Sequence, residues 1–398
     1  MVPMDTQLTP VHTHLWHREF WMLTFAGMLL TVSAFMQLPV LSAMLPAALR
    51  AQWMGWGYVA FGGGLLSLGC LISFLVEKYR RNAVCIWAVM AYMAAFAACS
   101  FLEALPQEMR LSAFLLLRFV EGAAYGLAQM VLVSTLVTDC CESAQRTDAN
   151  YAMAWFQRMA VPIGPALGVV VMEFYGADYP LMAVLASALL AIVLILFVRF
   201  PFRAPEDTSF HLSLDRFFML RGARLALHVL AVGFALGVLV VACFSLTFFA
   251  FLIVGFLLAL GGETVLGRYR LSGLMPVGGM ALLAAAFLLQ LAGGSAFGAY
   301  AVPLLAGCGV GLSMARLQIY FIRISAHCQR GTSQSSFWIV WELGAALGIA
   351  VAFAFVAEGG LTPAAVRGCT IVALIVTLAS LLAFIFTTAK WYRSHIQR

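Results

Sequence analysis

The sequence predicts an all-α polytopic membrane protein with twelve transmembrane helices in two pseudo-symmetric six-helix bundles. Three observations point there. Of 398 residues, 63% are hydrophobic and only 10% charged, against roughly 45–50% and about 25% in soluble domains. The apolar runs are continuous and about twenty residues long, enough for a helix to cross roughly 30 Å of hydrocarbon, whereas membrane barrels show alternating segments of about ten. The third observation is an internal repeat. A mean hydropathy of +0.97 over the whole length excludes disorder, a coiled coil, a disulfide scaffold and a soluble enzyme on a single anchor.

Charged residues and Pro/Gly punctuation place the spans at 20–44, 54–76, 83–102, 111–137, 150–172 and 179–199. After the polar stretch "PFRAPEDTSFHLSLDRFFMLRGAR" come 225–242, 244–262, 272–292, 297–320, 334–357 and 366–389. The run 225–262 is too long for one crossing and is cut near Ala242 and Cys243. The chain thus divides into a bundle over 1–200, a linker over 201–224 and a second bundle over 225–398. The polar N-terminal segment is too long before the first apolar run for a cleaved signal peptide, so the first span is expected to remain.

With an even span count both termini and the linker share a side. Outside the spans, every Lys and Arg except Arg50, Arg110 and Arg367 falls on that side, which places it in the cytoplasm. The net charge of +6 is therefore a topology signal and implies no nucleic-acid partner. The nine cysteines show no CxxC or Cys/His ligand spacing, so neither a disulfide nor a metal site is expected. The Gly-rich segment 60–69 lacks the lysine of a phosphate loop. No HExxH, GxSxG or paired-carboxylate site occurs, so no enzyme and no cofactor are expected.

Three ungapped blocks recur in order. Ala60, Phe61, Tyr79 and Arg80 match Ala250, Phe251, Tyr269 and Arg270; Gly122 and Gly126 match Gly307 and Gly311; Gly164 and Gly168 match Gly344 and Gly348. Repeats in parallel orientation build two lobes that can rock about their interface. Local motifs accompany them. The loop after the second span carries Gly69, then Ser73, then the basic run containing Glu77, Arg80 and Arg81; the fourth span carries Arg118, Glu121 and Gly122; the fifth carries Gly164, Pro165 and Gly168.

With these motifs the chain resembles the major facilitator superfamily over essentially its whole length. In that resemblance Ser73 replaces the acid of the loop motif and Glu77 takes over its work; Glu121 stands where Gln is common; and Gly164-Pro165-x-x-Gly168 is similar to the fifth-helix motif of proton-driven antiporters, with Ala160 for the first glycine. The resemblance implies alternating access, a fourth helix that lines the central cavity, and export. The first span lacks the membrane carboxylate of many drug antiporters and offers Gln37.

Ionisable groups inside spans are costly unless paired or facing water, about 2.5–3.5 kcal/mol each on insertion scales. Arg118 and Glu121, three residues apart, share a helix face and can pair; functionally Glu121 is a candidate proton carrier. Glu342 lies at the depth of both Arg158 and Arg316, so a cross-lobe latch and a same-lobe scaffold are both open, the latter favoured because sequential helices are usually neighbours. His228 reads as an interfacial residue. Gln37, Tyr125, Gln129, Trp155, Gln157, Trp338 and Trp341 are candidates for the substrate cavity, and Gly164, Pro165 and Gly168 for a helix seal. The expected function is proton-coupled export of a small amphipathic or hydrophobic solute by a monomer in a bacterial inner membrane. The same residues would serve proton-coupled uptake, and a non-transporting receptor could retain the scaffold.

Overall fold

The computed structural model describes residues 14–45, 50–142, 144–176, 179–198, 209–269, 271–293, 296–326, 329–356 and 360–396. The boundary at residue 200, linker residues 201–208, Arg203, Arg270, Cys328 and Arg398 lie outside that set. Among the described residues, twelve helices are long and apolar enough to cross a membrane. They are α1 (Arg18–Met44), α2 (Arg50–Lys78), α3 (Arg81–Ala104), α4 (Gln107–Asp139), α5 (Arg146–Tyr175) and α6 (Tyr179–Leu196). The second six are α7 (Leu220–Ala242), α8 (Leu246–Gly267), α9 (Ser272–Ala292), α10 (Phe297–Ile324), α11 (Arg330–Ala354) and α12 (Pro363–His395). Several, among them α2, α4, α5 and α7, exceed the expected spans by one or two turns, because a helix continues past the apolar segment into the polar boundary. The end of the expected linker forms the first turn of α7, and the long run breaks after Ala242, with Ser245 capping α8 through the Phe248 amide.

The repeat is visible in the packing. Within the first bundle α1 packs on α5 and α6, and α4 on α2 and α3; within the second α7 packs on α11 and α12, and α10 on α8 and α9. Each contact is matched by one six helices later. Glycines permit these approaches. A Cβ at Gly164 would lie 2.7 Å from the Val32 carbonyl oxygen of α1, and one at Gly126 2.8 Å from that of Leu65 in α2. In the second bundle, Gly307 sits equally tight against Leu252 of α8, and Gly344 and Gly348 against the α7 backbone at Leu230 and Phe234. Gly122 and Gly307 thus occupy equivalent places, since Gly122 packs on the carbonyl of Phe61 in α2. The lobes meet along α2–α11 and α5–α8, two contacts that also exchange under the repeat. Large apolar side chains such as Leu116, Phe174 and Phe386 point outward, forming the surface that meets lipid in a membrane.

Candidate functional site

Buried polar groups are concentrated where the two bundles face each other. Arg118 and Glu121 of α4 are essentially fully buried and pair at 2.5 Å. The same Arg118 Nη1 donates to Gln37 Oε1 at 2.7 Å. Gln37 in turn donates to the Tyr92 hydroxyl at 2.8 Å, which bonds Ser33 at 2.9 Å. The Arg118 guanidinium lies over the rings of Tyr58 and Phe61, 5.2 and 4.8 Å from their centres. The i, i+3 spacing sets the ion pair, while α1, α2 and α3 supply the partners that make burial of the charges tolerable. A void of about 20 Å³ separates this cluster from α11, with Tyr58, Phe61 and Arg118 on one wall and Glu342 on the other. That is room for about one water molecule.

A second chain of bonds runs from α1 to α5. Gln157 donates to Gln129 Oε1 at 2.9 Å, and Gln129 donates to Thr31 at 3.0 Å. Tyr125 is buried with its ring 5.5 Å from Trp338 of α11. Gln157, Arg158, Trp338 and Trp341 share a small void lined from both lobes, and the Trp155 ring lies 4.8 Å from the Arg158 guanidinium. The structure therefore brings Tyr125, Trp155, Gln157 and Trp341 to the lobe interface, whereas Gln37 and Gln129 bond to Arg118, Tyr92, Thr31 and Gln157 of their own bundle. Gly164 and Gly168 lie within one lobe, at the α1–α5 contact, with Gly168 against Pro39 and Met36.

Several expectations are corrected. Among the described residues no ion pair joins Glu342 to Arg158 or Arg316. Arg158 crosses to the other lobe and donates to Gln318 Oε1 at 2.7 Å; Gln318 donates to Gln334 at 2.9 Å and to the Asn150 carbonyl oxygen at 3.0 Å. Equal residue counts from the span starts do not give equal depth, because Arg158 is level with Gln334, about two turns before Glu342. Arg316 lies over the Tyr320 ring of its own helix, 5.3 Å from its centre. His228 is buried, not interfacial: its ring nitrogens bond Ser380 and Thr388 of α12, each at 2.8 Å. Glu77 does not replace the missing acid, being half exposed and 3.7 Å from His211.

Asp215 of the linker bridges the two lobes. Its backbone carbonyl accepts from Ser73 of α2 at 3.0 Å, and its Oδ1 accepts from Thr332 of α11 at 2.6 Å. Arg216, in left-handed backbone with φ of 58°, donates its amide to Thr332 at 2.9 Å, and the Met219 amide donates to Ser336 at 2.7 Å. Phe217 covers Gly69. Arg81 pairs with Asp139 at the end of α4, and Tyr151 of α5 donates to Glu263 of α8. At the opposite end a cavity of about 780 Å³ opens between the lobes, with Pro39, Arg50, Glu173, Val241 and Phe244 among its lining.

Sequence reasoning passed over Gln318, Gln334, Tyr92, Asp215 and Thr332. Neutral polar residues inside apolar spans were the available signal, because an unbonded amide in hydrocarbon is costly too.

By sequence, no family model matches the chain and no curated protein matches it. By structure it is similar to the human organic anion transporter MFSD10, with a TM-score of 0.64 at 15% identity, covering 92% of this chain and 98% of that one. It is also similar to the nucleoside transporter NupG, with a TM-score of 0.62 at 15% identity over 92% and 99%. A third likeness is to the major facilitator superfamily transporter FucP in an outward conformation, with a TM-score of 0.55 at 18% identity over 91% and 98%. The chain is an all-α polytopic membrane protein with the fold of the major facilitator superfamily transporters.

Proposed function

We propose that this protein is a secondary active transporter that moves a small amphipathic or hydrophobic solute by alternating access, as a proton-coupled exporter. The observation that carries the reading is the asymmetry of the lobe interface: a cavity of about 780 Å³ between the lobes at one end, and buried cross-lobe hydrogen bonds through Arg158 and Gln318 at the other. In this reading the linker end, with both termini, faces the cytoplasm of a bacterial inner membrane, and the structure is the state closed on that side. The lobes over 1–200 and 225–398 rock in a monomer, and no enzymatic step or cofactor is involved. Gln37, Tyr125, Gln129, Trp155, Gln157 and Trp341 meet the solute as it passes the midplane.

Glu121 is the proton carrier in this proposal, and Arg118 holds its charged form. Glu342, across the void from Arg118, is the second carboxylate of the path. When the lobes part, water reaches the gap and changes the balance between burial, which disfavours a carboxylate, and Arg118, which favours it. Uptake and efflux of candidate solutes in proteoliposomes, with and without a pH gradient, test the reading. Gradient-driven accumulation on the side opposite the linker is expected. Flux of the opposite sign would make the protein an importer, and saturable binding without flux would make it a receptor.

A further inference from the structure

His17, Cys140 and Cys141 form a cluster outside the buried networks of the lobe interface. His17 immediately precedes α1 and Cys140 and Cys141 immediately follow α4, so the fold joins residues that are remote in sequence. One ligand atom from each lies within 4.8 Å of the others, and the two Sγ atoms are 3.6 Å apart. Two thiolates on one tetrahedral zinc, at ~2.3 Å each, sit about 3.8 Å apart, so the cysteine pair is already spaced for chelation. His17 Nδ1 donates to the His14 carbonyl oxygen at 3.2 Å. In a neutral imidazole that bond leaves the lone pair on Nε2, the arrangement by which a backbone carbonyl orients a ligating imidazole. Both cysteines are free thiols; Cys141 is buried and Cys140 half-buried, so the pair is enclosed without being sealed from solution.

We infer that His17, Cys140 and Cys141 form a binding site for a thiophilic metal ion of the zinc class. Two sulfurs and an imidazole nitrogen select zinc, cadmium or cuprous copper over hard cations, and three protein ligands leave one position for water. A bound ion would tie the start of α1 to the end of α4 at the linker end. The absence of CxxC spacing hides such a site, because its histidine comes from another helix. This inference does not depend on the transport reading.

The test uses the purified, reduced, full-length protein with Cd²⁺ and Zn²⁺ as probes. One equivalent of Cd²⁺ should produce a sulfur-to-cadmium charge-transfer band in the ultraviolet, and stoichiometric Zn²⁺ should protect Cys140 and Cys141 from alkylation, mapped by mass spectrometry. The protection measurement needs no variant, so it remains decisive if substitutions impair folding. Cys140→Ser, Cys141→Ser and His17→Asn should each weaken binding at least about tenfold. Equal affinity in the Cys140→Ser/Cys141→Ser double variant, or alkylation unaffected by Zn²⁺, would overturn the site. So would recovery of the freshly reduced pair only as a disulfide in the presence of metal.

Discussion

The two ends of the molecule close by different physics. At the linker end the lobes are joined by directional bonds: Arg158 to Gln318, Tyr151 to Glu263, and the linker backbone and Asp215 to Thr332 and Ser336. At the opposite end α2 and α11 stay in contact where Gly55 nears Ala350, but α1 and α5 stand away from α7 around a largely apolar cavity. Apolar contacts are adaptable, whereas a buried polar group must find a new partner or water when its bond breaks. The difference suits a machine in which the linker end is a specific latch and the other end a looser lip.

The largest effect should come from filling the close approach of α5 to α1 beside the cavity. Gly168→Leu places its side chain where Pro39 Cγ and Met36 already lie, at 2.7 and 3.2 Å from a Cβ, and should reduce flux in proteoliposomes at least about tenfold while membrane insertion persists. Unchanged flux would remove helix α5 from the seal.

Next in size is the coupling residue. Glu121→Gln should abolish pH-driven accumulation yet retain solute binding and solute exchange, because neither needs proton turnover. Full accumulation in that variant would move the proton to Glu342. Arg118→Lys should do less harm than Arg118→Ala, since both bonds of Arg118 leave from a single nitrogen and a point charge can replace it.

A smaller effect tests the latch directly. Gln318→Ala deprives buried Arg158 of its partner, a loss of about 1.5–3 kcal/mol for a bond to a charged group, or about tenfold or more in population. Solvent labelling at the linker end should rise accordingly. The smallest change is expected for Asp215→Asn, which keeps an acceptor for Thr332 and removes only charge; linker-end labelling should rise less than twofold to threefold, by the ~0.5 kcal/mol scale of partly exposed groups.

The architecture was legible because hydropathy, punctuation and the glycine repeat are all one-dimensional signals. The break after Ala242 follows from the length of one apolar run, the equivalence of Gly122 with Gly307 from the repeat, and the Arg118–Glu121 pair from spacing along one helix. The partners of Arg158 and His228 do not, because they depend on the relative height and rotation of helices remote in sequence. Gln318 and Gln334 intercept Arg158 before it reaches Glu342. Asp215 was hidden for a different reason: it lies in a polar stretch where one acid has no distinguishing pattern until the linker is folded against α2 and α11.

The most direct test of alternation is a pair of distances measured in liposomes, with probes introduced as unnatural amino acids so that the native cysteines are untouched. One pair, at Asp148 and Thr264, reports the linker end; the other, at Tyr175 and Ser245, reports the opposite end. All four positions are exposed. Gln318→Ala, or a transported solute, should lengthen the first distance and shorten the second together. If both distances lengthen, or either changes alone, the lobes do not rock about a central site and the alternating-access account is wrong.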